Sequence, residues 1–167
     1  SLLLMPTTGK LDVDYRNYGS KYEAETASPG YYSTFLTKYK VKAEATATPR
    51  SGLSRFTFPK GESNILLNLG EGLMRRVGDR EIEGMKVLGT FCYNPQAVFP
   101  IYFVMRVSKA PKAAGYWKKQ RPMIGVEAEW DSDQGKNKLY TKYNREIAGD
   151  DIGAWFSFET EENEQIE

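Results

Sequence analysis

Short runs in which apolar and polar residues alternate constrain this chain more than any other feature of its sequence. In VKAEATA, residues 41–47, an apolar side chain occupies every second position. Successive side chains of a β-strand point to opposite faces, so this run predicts a strand with one apolar and one solvated face. Small alanines on the apolar face leave room for large side chains from a packing partner.

The strongest core stripe follows the same period at residues 99–107, where Phe99, Ile101, Phe103, Met105 and Val107 share one face. Pro100 lies inside this run and has no backbone donor, which favours the start of a strand or a sheet edge. Further strands are predicted at residues 31–36, 53–58, 65–69, 124–130, 139–147 and 152–158.

About ten short strands separated by Gly, Pro, Asn, Asp and Ser predict an all-β fold, an antiparallel β-sandwich. At 167 residues the chain fits one domain, residues 1–167, without an internal linker or repeat.

Charge and residue usage exclude several function classes. The 23 basic and 22 acidic side chains leave a net charge of +1, so we expect no nucleic-acid partner. The apolar opening SLLLM is far too short for a membrane span. The chain has no histidine, so any catalysis would depend on carboxylates. Cys92 is the only cysteine and is interpreted as a small buried hydrophobe.

Two pairs of glutamates have the spacing of a shared strand face. They are Glu23 with Glu25 and Glu81 with Glu83. Glycosidases use two carboxylates that flank the scissile bond, so such pairs are candidates for acid and base. Solvated strand edges explain the same spacing without chemistry, and we favour that interpretation.

Residues 128–140 resemble a calcium loop because Asp131, Asp133 and Asn137 fall at alternate positions. The EF-hand pattern requires a glycine at its sixth position and a glutamate at its twelfth, where this chain has Lys136 and Lys142. We therefore expect a hairpin turn here and no metal site.

Aromatic side chains are candidates for stacking on sugar rings, with core packing as the alternative. The substrate-binding candidates are Trp117, which we expect to be exposed in AAGYWKKQRP, and Tyr93. Trp155 in GAWFSF is expected to be packed. The remaining members of the set are Tyr102, Trp130, Tyr140 and Tyr143.

Several blocks occur together and in order over nearly the whole chain. They are LMPTTGKL (4–11), ASPGYY (27–32), VKAEATATPRSGLSRFTFP (41–59), NILLNLG (64–70), IYFVMRVSK (101–109), GKNKLYTKYNREIAGDDIGAWFSF (135–158) and ENEQIE (162–167). In this combination the chain resembles the N-terminal domain of family 92 glycoside hydrolases, which are bacterial exo-acting α-mannosidases.

The resemblance implies a two-domain, calcium-dependent, inverting enzyme that is periplasmic or extracellular and acts on mannose-containing glycans. A β-sandwich similar to the large galactose-mutarotase type packs on a catalytic (α/α)₆ barrel and helps to shape the mannoside pocket. The barrel carries the catalytic carboxylates and the calcium ion. The resemblance implies no catalytic residue, metal site or cofactor in residues 1–167, and we therefore expect this chain to be inactive alone.

The chain also departs from the family pattern. Ser20, Lys21 and Tyr22 stand where members often have a histidine, and residues 89–100 differ from the expected tryptophan-bearing loop. Both ends look cut, so we expect open sheet edges and self-association. A stand-alone carbohydrate-binding or adhesion module remains the alternative function.

Overall fold

The structure is a computed structural model that describes residues 2–89, 98–120, 136–141 and 146–167. These residues form twelve β-strands and no helix. The described part of the chain therefore contains no apolar helix long enough to cross a membrane. The strands are β1 (Leu3–Thr8), β2 (Tyr22–Ser28), β3 (Tyr31–Leu36), β4 (Val41–Ala47), β5 (Gly52–Phe58), β6 (Gly61–Arg76), β7 (Glu81–Leu88), β8 (Phe99–Arg106), β9 (Ala113–Gln120), β10 (Lys136–Tyr140), β11 (Ile147–Thr160) and β12 (Glu164–Ile166).

The strands form two antiparallel sheets. The large sheet has the order β10-β9-β11-β6-β7-β8, and the small sheet has the order β12-β5-β4-β3-β2. Strand β6 is long enough to take two neighbours along one edge. Its first half pairs with β1, and its second half pairs with β7. The expected antiparallel β-sandwich is thus confirmed.

The core lies between the inner faces of the two sheets. Because alternate residues share a face, the cross-strand register assigns one set to each side of the layer. Ile65 and Leu67 on β6 share the inner face of the large sheet with Ala154 and Phe156 on β11. The small sheet contributes the buried side chains Val41, Phe56, Phe58 and Ile166.

A segment that follows β1, residues 9–21, covers part of the outer face of the large sheet, and we call it the strap. Asn64 Nδ2 donates to the Gly9 carbonyl at 3.0 Å, and Asn68 Nδ2 donates to Tyr18 Oη at 3.0 Å. Both asparagines share the outer face with Leu66, which is completely buried. The strap therefore explains why β6 is buried on both faces over its first half.

Several predicted strands are confirmed. Strands β3 and β4 coincide with residues 31–36 and 41–47, and Pro100 lies on β8, which is a sheet edge as its missing donor indicated. Strands β1, β9 and β12 were not predicted, because each lacks a clear period of two. Strands β2 and β7 were implied only by the spacing of their glutamates and were given no bounds. The strand expected at residues 124–130, like Cys92, lies outside the described residues.

The core stripe predicted on β8 needs a correction. Phe103 and Met105 do pack against the core, and Val107 just after the strand is buried. Phe99 and Ile101 are instead 48% and 45% exposed. Their face is the inner one, as expected, but among the described residues little covers this end of β8.

Candidate functional site

The glutamates Glu81 and Glu83 lie on one face of β7, but each is held by an arginine on a neighbouring strand. Arg106 Nε donates to Glu81 Oε2 at 2.8 Å, and Arg75 forms an ion pair with Glu83. Both arginines are the direct cross-strand partners of these glutamates. Opposite charges at such positions stabilise a sheet, so the geometry supports a structural role for the pair.

The second pair, Glu23 and Glu25, lies at a β-bulge on the edge strand β2. The register shifts between Glu23 and Thr26, and Ala24 has a φ of 51°. The bulge interrupts the alternation that would place both carboxylates on one face. Glu25 Oε1 accepts a hydrogen bond from Tyr32 Oη at 2.7 Å. The structure therefore does not bring this pair together as an acid and a base.

Trp117 is not the exposed side chain that the sequence suggested. It lies on β9, an interior strand between β10 and β11, and it is 3% exposed. Its cross-strand neighbour on β11 is Gly153, and a Cβ atom there would overlap the indole ring. Because glycine has no side chain, Gly153 leaves room for the ring, and the indole of Trp117 packs within this domain.

The other aromatic candidates divide between packing and exposure. Trp155 is 5% exposed, which confirms that it is packed, and Tyr140 is half-buried against the core. Tyr102 on β8 is 77% exposed. Tyr93, Trp130 and Tyr143 lie outside the described residues.

Tyr102 borders an open groove of about 520 Å³ on the outer face of the large sheet. Two cross-strand rows build it, Leu73–Met85–Tyr102 and Arg75–Glu83–Val104. Glu146, just before β11, lies at its side. Sequence analysis did not find this groove, because its members come from three strands and meet only through the register.

The groove combines an apolar floor with the exposed ring of Tyr102 and a few charged groups. Such a surface can bind a sugar ring by stacking and by hydrogen bonds to hydroxyl groups. Glu83 is committed to its ion pair with Arg75, so the groove offers a binding surface and no matched pair of carboxylates.

The outer face of the small sheet carries a polar network around Glu44 on β4. Glu44 Oε1 accepts hydrogen bonds from Tyr31 Oη at 2.6 Å and from Lys42 Nζ at 3.0 Å. The bond from Tyr31, followed by that from Lys42, holds the pKa of Glu44 below its ordinary value. These partners keep the carboxylate ionised, and a general acid needs the opposite.

Clusters of acidic side chains are the usual basis of a calcium site. Across the described ranges, no group of three or more Asp, Glu or Cys side chains lies close enough together to hold an ion. Asp131 and Asp133 of the calcium-like pattern lie outside the described residues, and Asn137 lies on β10.

Three solved structures of two proteins are among those that share this architecture. The GH92 α-mannosidase BT3965 from Bacteroides thetaiotaomicron superposes with a TM-score of 0.77 at 26% sequence identity, and the match covers 99% of this chain and 23% of that one. The complex of BT3965 with mannoimidazole gives the same TM-score and identity. The GH92 family glycosyl hydrolase ccman5 matches over 94% of this chain and 21% of its own, with a TM-score of 0.64 at 20% identity, and it supports the fold alone.

The chain thus spans about a quarter of the length of the solved proteins it matches. No individually curated protein is significantly similar to it in sequence. The sequence matches the family described as the glycosyl hydrolase family 92 N-terminal domain over residues 1–167. Together with the two-sheet architecture, this match shows that the chain belongs to glycosyl hydrolase family 92 and corresponds to its N-terminal domain.

Proposed function

We propose that this chain is the non-catalytic N-terminal domain of a calcium-dependent, inverting α-mannosidase that acts on mannose-containing glycans outside the cytoplasm. One observation carries the proposal. Nearly the whole chain superposes on 23% of a GH92 α-mannosidase at 26% identity. This match supports the view that the chain has the fold of that quarter. In our proposal the catalytic chemistry belongs to residues beyond it.

The carboxylates of this chain support a non-catalytic role. An inverting glycosidase needs one protonated carboxylic acid and one carboxylate that activates water, at a separation that admits the water molecule. Glu81 and Glu83 are paired with arginines instead, and Glu44 is held ionised by Tyr31 and Lys42. In this proposal the acid, the base and the calcium ion all lie in a separate catalytic domain.

The small sheet offers a surface on which such a domain can pack. Ala45 and Ala47 continue the inner face of β4 beyond Val41 and Ala43, yet both are exposed. Tyr32, the cross-strand partner of Ala45, is exposed as well. Small residues leave space for incoming side chains, so we propose that this uncovered part of the inner face contacts the catalytic domain.

The activity of the chain and of its parent tests the proposal. The protein encoded by the full reading frame should release mannose from α-mannosides and lose that activity in a chelator. Proton NMR should show the β-anomer as the first product, since inversion converts α to β. The 167-residue chain should release none, with or without calcium. Turnover by the isolated chain, or a full-length protein inactive on every α-mannoside, would refute the assignment.

A matched pair of variants tests the packing surface separately. Ala45→Arg in the full-length protein should lower kcat/KM about tenfold or more by disturbing the domain contact. Thr26→Arg places the same side chain on the exposed edge strand β2 and should leave activity unchanged. Equal activity of both variants would show that the small sheet does not contact the catalytic domain, while leaving the mannosidase assignment intact.

Binding of sugar by the domain itself is a second candidate function, favoured by the groove at Tyr102. Titration calorimetry of the isolated chain with mannose and mannobiose measures it directly. If the groove binds sugar, Tyr102→Ala should abolish the heat of binding while the exposed control Tyr22→Ala retains it. A wild-type chain that gives no binding heat would exclude this function.

A further inference from the structure

Five strands form edges of the two sheets in the described residues. Two of them are weak templates for pairing, because β12 has only three residues and β1 carries Pro6 within the strand. The other three are β10 and β8 in the large sheet and β2 in the small sheet. An edge strand presents unpaired N–H and C=O groups that recruit another strand unless the sequence prevents it. Bulges, charged side chains and proline are the usual protections.

Two of these edges are protected. Strand β2 has the bulge at Ala24 and carries the carboxylates of Glu23 and Glu25. Strand β10 carries the exposed lysines Lys136 and Lys138 within five residues. A second strand that paired with either edge would have to accommodate these charges or the kink.

Strand β8 lacks such protection over most of its length. Its sequence FPIYFVMR contains no acidic residue, and its single cation, Arg106, is paired with Glu81 on β7. Side chains on both faces are apolar and exposed. Ile101 on the inner face is 45% exposed, and Val104 on the outer face is 64% exposed. Aromatic and β-branched residues also favour the extended conformation.

We propose that β8 pairs with β8 of a second copy of this chain, antiparallel and across a two-fold axis, so that two large sheets join into one. A two-fold axis at Phe103 places Tyr102 of each copy opposite Val104 of the other. The same register places Arg106 opposite Pro100, which avoids the contact between two arginines. Pro100 then falls at the end of the new ladder, where its missing donor costs least.

The contact is small, and this sets its strength. A ladder of about five residues a side buries less than the roughly 1,200 Å² of a stable interface, so the dissociation constant should fall between micromolar and millimolar. The pairing concerns the 167-residue chain and does not depend on the proposed mannosidase function.

Sedimentation velocity from about 10 μM to about 1 mM tests the proposal. The wild-type chain should shift from monomer to dimer in this range. Val104→Lys should weaken dimerisation about tenfold or more, because it places a charge on the pairing strand. Thr26→Lys places the same charge on the protected edge β2 and should leave the dimer unchanged. Melting temperatures of both variants establish that they fold.

A charge-pair experiment tests the register. In the proposed pairing, Tyr102→Glu in one copy lies opposite Val104→Lys in the other. Each variant alone should be mostly monomeric, and an equimolar mixture should recover the dimer. A wild-type chain that stays monomeric to about 1 mM, or a dimer that Thr26→Lys disrupts and Val104→Lys does not, would overturn the proposal.

Discussion

The indole ring of Trp117 lies over Gly153, its cross-strand neighbour, and this contact depends on the missing side chain of the glycine. Gly153→Ala should destabilise the fold by about 1–3 kcal/mol, because interiors this well packed accept an extra methyl group only by moving their neighbours. Urea unfolding measures the loss. Gly78→Ala is the matched control, since a Cβ atom there meets nothing within 4 Å.

The double variant Gly153→Ala with Trp117→Leu separates overlap from other effects. If the indole is the obstacle, the two substitutions together should cost less than the sum of their separate effects. Additive losses would show that Gly153 is needed for a reason other than the contact with Trp117.

Glu44 should make stability depend on pH in the acid range. Its hydrogen bonds from Tyr31 and Lys42 lower its pKa in the folded chain below the ordinary value of 4.5. A lowered pKa gives stability that is present above pH 4.5 and is lost as the pH falls through the folded-state value. Glu44→Gln should therefore show a smaller fall in melting temperature on acidification than the wild type, whereas the exposed Glu71→Gln should not. Equal acid profiles for wild type and Glu44→Gln would contradict this account.

At the scale of elements, the strap is attached to β6 by partly buried hydrogen bonds of Asn64 and Asn68. Asn64 Oδ1 accepts a hydrogen bond from Ser157 Oγ at 2.5 Å, and its Nδ2 donates to the Gly9 carbonyl at the start of the strap. Asn64→Ala should cost about 1–3 kcal/mol, because it leaves buried polar groups without partners. Amide hydrogen exchange should also become faster in residues 9–21. Thr26→Ala on the exposed strand β2 should change neither, and unaltered exchange in Asn64→Ala would mean that other contacts hold the strap.

The period of two predicts β3, β4 and β5 because each of these strands has side chains of different polarity on its two faces. Strand β9 fails this test. It is interior to the large sheet, Lys119 is buried as deeply as apolar residues are, and its glycine makes room for Trp155. The sequence of such a strand is hard to distinguish from that of a loop, and the prediction that Trp117 is exposed was therefore wrong. The groove at Tyr102 was not predicted either. It depends on the register among β6, β7 and β8, and the local pattern of residues does not give that register.

At the scale of the whole molecule, burial of phenol groups couples stability to alkaline pH. Tyr116 lies in the interior of the large sheet and Tyr18 lies in the strap, and burial raises the pKa of both above the ordinary value of 10.0. The folded chain thus keeps protons that the unfolded chain releases. The stability is fully present below pH 10 and declines as the pH rises through the raised values.

This coupling predicts that the chain unfolds cooperatively in alkali. Absorbance at 295 nm follows phenolate formation in the 11 tyrosines. The part of its rise that comes from Tyr116 and Tyr18 should appear only as the far-ultraviolet β signal is lost. Tyr116→Phe should flatten the decline of stability above pH 10, because it removes the proton that folding retains. Tyr102→Phe, at a phenol exposed in both states, should leave the slope unchanged. Complete ionisation of all tyrosines with the β signal intact would show that the layers of the sandwich open to solvent without unfolding.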